Sequence, residues 1–234
     1  MRIESEASRR FKSVSQAITM NSLSAPWCKI CGITTVQDSL AMCEAGVDAL
    51  GFNFYPNSAR CLDADKAVEI CEETKKAFPE VQRIGLFVDA PAERVRQVVA
   101  SVDLDMLQFH GDESPSYCEQ FEMPYIKVLG VNEETDFPAF EADFASAWAL
   151  LLDTHDPQMK GGTGRRFDWT LWPTDSTSRL VLAGGLNAEN VGAAVMQICP
   201  FGVDVAGGVE TERKGVKDHA KAKAFIENAK RVEM

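Results

Sequence analysis

The chain has 234 residues, 45% hydrophobic and 25% charged, an ordinary globular balance that excludes a disordered or collagen-like polymer. Lys and Arg number 24 against 35 Asp and Glu, a net charge of −11, and nothing argues for a basic nucleic-acid-binding face. The seven cysteines are odd in number and scattered, which reads as reduced thiols, and no apolar run approaches the ~20 residues of a membrane span.

Residues 1–24 stand apart. They carry Arg2, Arg9, Arg10 and Lys12 against Glu4 and Glu6, a net charge of +2 in an otherwise acidic chain. The segment lacks the apolar stretch of a secretory signal, and two early glutamates argue against a transit peptide. It is expected to be a flexible extension, with Met20 as an alternative start, before a catalytic domain over 25–234.

From Trp27 onward one pattern repeats: a short apolar run, a loop, then a stretch of helical period. Strands are expected near 27–31, 48–54, 82–88, 105–109, 124–129, 148–153, 179–183 and 202–206. Helices are expected near 35–46, 63–77, 91–101, 114–121, 132–142, 168–172, 187–197 and 217–231. Short, mostly apolar strands suit a buried parallel sheet. Eight β/α units in about 210 residues imply an α/β fold, a single (β/α)8 TIM barrel near its compact limit. The alternative, a doubly wound open sheet, usually shows a Gly-rich turn after its first strand. Here that turn is Gly32-Ile33-Thr34, which is no dinucleotide fingerprint.

A barrel of this kind carries its chemistry at the C-terminal strand ends. The first strand ends Cys28-Lys29-Ile30-Cys31-Gly32. Residues three apart on a strand face opposite ways, so the two cysteines are no redox pair. Lys29 and Cys31 share a face. Cys31 is either a small buried hydrophobe or a positioned thiol whose pKa Lys29 lowers. The loop after the second strand offers Arg60, able to grip a carboxylate or to lie in solvent. The fourth strand brings Gln108 and His110 to one face, candidates for contact with a ligand. The fifth contains Lys127, and a buried lysine needs a partner. The sixth reads Leu150-Leu151-Leu152-Asp153, and a carboxyl after three leucines suits acid/base work at a raised pKa. The long loop beyond it holds Gly161-Gly162-Thr163-Gly164, in lid position.

The seventh strand ends Ala183-Gly184-Gly185-Leu186-Asn187, with Asn187 a plausible helix cap. The eighth runs Asp204-Val205-Ala206-Gly207-Gly208-Val209-Glu210. Paired glycines after the seventh and eighth strands let backbone N–H groups approach a phosphate, where barrel enzymes often hold one. The residues thus point to a phosphate-handling barrel enzyme with thiol and carboxyl candidates at its mouth.

Several segments together resemble one family. They are Lys29-Ile30-Cys31-Gly32-Ile33-Thr34, Gly51-Phe52-Asn53-Phe54-Tyr55-Pro56 with Ser58 and Arg60, Gln108-Phe109-His110-Gly111, and Leu151-Leu152-Asp153-Thr154. Gly161–Gly164 with Phe167-Asp168-Trp169, Leu182–Asn187, Val203-Asp204-Val205 and Gly208-Val209-Glu210 complete the set. In this order, over about 28–231, they are similar to phosphoribosylanthranilate isomerase of tryptophan biosynthesis. The resemblance implies an Amadori rearrangement of N-(5-phosphoribosyl)anthranilate to 1-(2-carboxyphenylamino)-1-deoxyribulose 5-phosphate. It implies Asp153 as general acid, Cys31 as general base and Arg60 as ligand of the anthranilate carboxylate. It also places Asp204 near the sugar, with Gln108 and His110 among the substrate-binding residues. Gly184, Gly185, Ala206 and Gly207 would form the phosphate cradle. No cofactor or metal is implied, and the protein is expected to be cytoplasmic, a monomer or homodimer acting on a small phosphorylated substrate.

The chain departs from the family where Ala206-Gly207-Gly208 replaces the frequent Ser-Ser-Gly, so phosphate binding would lean on backbone N–H groups. Cys61 stands where an aromatic residue is common, and Cys28 where an aliphatic one is usual. Two other readings stay open. A related sugar-phosphate enzyme would be either an isomerase with aspartates as both acid and base or an epimerase with a metal site. A catalytically silent barrel would bind a phosphorylated ligand without turnover.

Overall fold

The computed structural model describes residues 25–154 and 167–231. Residues 1–24 with Met20, and the Gly161–Gly164 segment, lie outside the described residues. Eight parallel strands close into a barrel in chain order, with the last pairing back to the first. They are β1 (Trp27–Cys31), β2 (Ala49–Asn53), β3 (Gln82–Phe87), β4 (Met106–Phe109), β5 (Tyr125–Val131), β6 (Ala149–Thr154), β7 (Leu180–Leu182) and β8 (Gly202–Val205). Seven α-helices intervene among the described residues: α1 (Val36–Glu44), α2 (Ala64–Ala77), α3 (Ala92–Ser101), α4 (Pro115–Glu119), α5 (Phe137–Asp143), α6 (Val191–Ile198) and α7 (His219–Lys230).

Three expected helices differ. The fifth begins at Phe137, not near 132. Asn132 Oδ1 accepts from Glu134 N and closes a turn, and Asp136 caps the helix through Ala139 N. After β6 stands one turn of 3-10 helix, Trp169–Leu171, capped by Asp168. Asn187 does not cap the seventh helix directly. Its Oδ1 accepts from Glu189 N and Asn190 N, building a preceding turn, and α6 starts at Val191.

Alternation along the strands sorts the side chains into two layers. The barrel interior is filled low down by Ala49, Ile84, Met106, Ile126, Val128, Ala149, Leu151, Val181 and Ala183, with Trp27 and Trp148 packed below them. Trp27, Trp148 and Phe201 are in mutual ring contact there, and Arg179 lies over Trp148. The outward residues, among them Leu50, Phe52, Phe109 and Val203, bury against the helices. Cys28 belongs to that outer layer, whereas Lys29 turns inward to meet Asp204. All seven cysteines are free. No described helix is long and apolar enough to cross a membrane.

Candidate active site

Above the apolar plug the interior becomes polar. Lys29 is wholly buried, and its Nζ lies 2.9 Å from Asp204 Oδ1 across the β1–β8 seam. Burial disfavours the Lys29 charge, but Asp204 and the Cys31 side chain outweigh it and hold the ammonium above the usual lysine range. Cys31 ends β1 one pleat higher and packs with Leu86, Val88, Tyr55 and Ala206 at the mouth. The β2 neighbour is Gly51, and its lack of a side chain is required. A Cβ there would sit 2.7 Å from Cys31 Sγ and 3.1 Å from Lys29 Nζ. Gly51 therefore lets the thiol and the ammonium share one corner of the barrel.

Asp153 occupies the end of β6. Burial pushes its carboxyl up to about 6. The Thr154 N–H, which donates to Asp153 Oδ1 at 2.7 Å, opposes that rise; the Asp204 charge adds to it, and Lys29 pulls back. Gly184 has φ +84°, and a Cβ on it would stand 3.0 Å from Asp153 Oδ1. The seventh loop thus runs directly against the carboxyl because a left-handed glycine allows it. Gly185 follows at φ +62°.

Gln108 and His110 do share a face, with Gln108 Nε2 3.5 Å from His110 Nδ1. His110 Nε2 stands 3.6 Å from Asp153 Oδ2. Gln108 is fully buried beneath the imidazole, and its Oε1 has no hydrogen-bond partner among the described residues. It reaches the mouth through His110.

Arg60 is not a solvated loop cation. Its Nε and Nη2 donate to Glu210 Oε1 and Oε2 at 2.7 and 2.8 Å, a bidentate pair. Nη2 lies within 3.4 Å of where a Cβ on Gly207 would be, so Arg60 borders the eighth loop. After β8 the chain passes Ala206 into one turn of 3-10 helix, Gly207–Val209. Lys127, by contrast, points outward, where Nζ meets Glu113 Oε2 at 2.8 Å and Gly111 O at 2.6 Å. Its role is to anchor the fourth loop.

The barrel thus gathers Cys31, Asp153, Asp204, His110 and Arg60 from five strand ends, with Gly184, Gly185, Ala206 and Gly207 beside them. Lys217 carries no signal in the sequence, and Glu210 enters there only as part of the Gly208-Val209-Glu210 segment. They sit in a stretch rich in charge, and only the fold shows them buried. A surface groove of about 650 Å³, lined by Trp169, Trp172, Ile198 and Phe201 among others, shares none of the mouth residues. No described group of His, Cys, Asp and Glu is arranged to hold a metal.

A family model described as N-(5'-phosphoribosyl)anthranilate isomerase matches residues 28–228. A protein of that name from Thiobacillus denitrificans is 49% identical over 202 residues, 86% of this chain and 97% of the relative. A crystal structure of phosphoribosylanthranilate isomerase bound to reduced 1-(o-carboxyphenylamino)-1-deoxyribulose 5-phosphate superimposes with TM-score 0.76 at 39% identity, covering 88% of this chain and 98% of the other. Monomers generated from the dimeric Thermotoga maritima enzyme superimpose with TM-score 0.76 at 37% identity and the same coverage.

Proposed function

The chain belongs to the N-(5'-phosphoribosyl)anthranilate isomerase family, isomerases of tryptophan biosynthesis, and on that premise we propose that its barrel mouth rearranges N-(5-phosphoribosyl)anthranilate with Asp153 as acid and Cys31 as base. The observation that carries the reading is the Asp153 carboxyl, partly buried at the end of β6 and pushed up to about 6 by desolvation. A carboxyl with so high a pKa retains a proton to give near neutrality.

Asp153 gives that proton to the furanose ring oxygen. The C1–O bond breaks, the anilino nitrogen lone pair forms C1=N⁺, and the ring oxygen leaves as a hydroxyl. The iminium acidifies the C2 proton, which the Cys31 sulfur takes. The C2–H electron pair becomes C1=C2, and the nitrogen is neutral again. The Asp153 carboxylate takes back a proton from the enol O–H, Cys31 returns its proton to C1, and the ketone forms with both groups restored. The iminium is the electron sink, so this sequence of steps calls on no metal or cofactor.

Arg60 pairs with the anthranilate carboxylate through the guanidinium N–H groups Glu210 leaves unused. Asp204 and His110 contact the sugar, and Gln108 steadies His110. The backbone about Gly184, Gly185, Ala206 and Gly207 cradles the phosphate. Ala206 and Gly207 bring no hydroxyls, so that grip relies on N–H groups. The protein works as a monomer or homodimer in the cytoplasm.

Anthranilate-type fluorescence, followed with the labile substrate generated in situ, tests the reading. Turnover by the purified protein supports it. Tight binding of the reduced product without turnover would leave a silent barrel.

A further inference from the structure

Two buried charges beside the site have no part in the steps above. Glu210 is 5% and Lys217 is 3% exposed. Lys217 Nζ donates to Cys31 O at 2.7 Å, to Ala206 O at 3.1 Å and to Glu210 Oε1 at 3.1 Å. An ammonium has three N–H donors, so all are used. The Glu210 carboxylate accepts four hydrogen bonds: two from Arg60, one from Lys217 and one from Gly215 N at 3.1 Å. Burial opposes the Glu210 charge, but Arg60 and Lys217 outweigh it and hold the carboxyl below its usual range.

The cluster therefore holds two cations and one anion. Lys217 cancels Glu210 and leaves Arg60 with one net positive charge. The fork of Arg60 is held on its Nε–Nη2 edge, while Nη1 and one Nη2 hydrogen stay available. The anchor points of Lys217 are the backbone of Cys31 and of Ala206, so one ammonium registers the base, the phosphate loop and the carboxylate anchor together.

We propose that the buried Glu210–Lys217 pair is a specificity device that sets the net charge at Arg60, so that the mouth accepts a single aromatic carboxylate. This rests on the assignment of Arg60 to the substrate carboxylate. Without Lys217, the Glu210 charge competes for Arg60 and repels the ligand's carboxylate. Without the Glu210 charge, two uncompensated cations face the ligand.

The test compares two ligands by titration calorimetry: the reduced product, and its phenylamino counterpart lacking the ring carboxyl. The readout is the ratio of their affinities, which a merely structural role does not move. Lys217→Met lowers the ratio about tenfold or more, as loss of one partner of a buried charge pair does. Glu210→Gln, which keeps the shape of the side chain, raises it, and the double variant returns it near the wild-type value. Arg60→Ala brings the ratio close to one. Equal weakening of both ligands in Lys217→Met, or no restoration in the double variant, overturns the proposal. A variant that does not fold leaves Glu210→Gln to decide, and an unchanged or lower ratio there is contrary. A ratio lost in Arg60→Ala but untouched by Glu210→Gln and Lys217→Met overturns this inference alone. A ratio unchanged in Arg60→Ala overturns the carboxylate assignment, and this inference with it.

Discussion

Lys29 Nζ lies 2.9 Å from Asp204 Oδ1, so of Asp204 and Asp153 only Asp204 has a lysine in direct contact among the described residues. Asp153 is partly buried, yet among the described residues its nearest cationic candidate is His110 at 3.6 Å, and the Asp204 charge adds to the rise that desolvation causes. Two carboxyls in one pocket are thereby given unlike surroundings, and the proposed acid role of Asp153 rests on that difference.

The acid role sets a pH dependence. Asp153 titrates at about 6, and only its protonated form can give a proton to the ring oxygen. kcat/KM, which reports the free enzyme, is expected to fall as pH rises through that region. Steady-state rates across pH 5–9 check this, and a rise confined to that interval with no later fall runs against it.

The same shift costs stability. Asp153 titrates at about 6 in the folded state and ~3.9 when unfolded. Between those values the folded state holds the extra proton, so stability falls as pH rises from about 4 to about 6 and then levels. Asp153→Asn is therefore expected to be more stable than the wild type above pH 6, by up to about 3 kcal/mol, with the difference vanishing near pH 4. The Asn carbonyl can still accept from Thr154 N. Urea denaturation at pH 4 and pH 8 measures both ends.

Breaking the Lys29–Asp204 pair from one side leaves a buried charge alone. Lys29→Met is expected to cost roughly 3–5 kcal/mol of folding stability, and Lys29→Met with Asp204→Asn to recover most of it. Denaturant midpoints of the single and double variants settle whether the pair is coupled in this way.

Two glycines separate a site constraint from a backbone constraint. Gly51→Ala places a methyl 2.7 Å from Cys31 Sγ and 3.1 Å from Lys29 Nζ, so it is expected to lower turnover sharply. Gly46 has φ +89° and open space around it, so Gly46→Ala costs about 1 kcal/mol from its left-handed conformation and leaves turnover intact. Parallel assays and thermal melts distinguish the two.

Much of this was readable along the chain. Each strand is an apolar run between turn residues, and the expected ends fall within about two residues of those observed. Period-two alternation placed Lys29 and Cys31 on one face and Cys28 on the other, as found. Local turn chemistry was harder to read: Asn132 and Asn187 each spend their side chains on a turn ahead of the helix. Partnerships across the barrel were not legible at all. Arg60 meets Glu210 150 residues away, and Lys217 reaches back 186 residues to Cys31 O. In the sequence Lys217 is one more charge in a charged stretch; only closure of β8 against β1 buries it.

The central claim is that Asp153 and Cys31 are the acid and base of the rearrangement. The direct measurement is turnover of the substrate generated in situ by wild type, Cys31→Ser and Asp153→Asn, alongside calorimetric binding of the reduced product. Each substitution is expected to lower kcat by about 10²–10⁴-fold while the product analogue still binds. Turnover within a few fold of wild type in either variant would contradict the assignment of that residue.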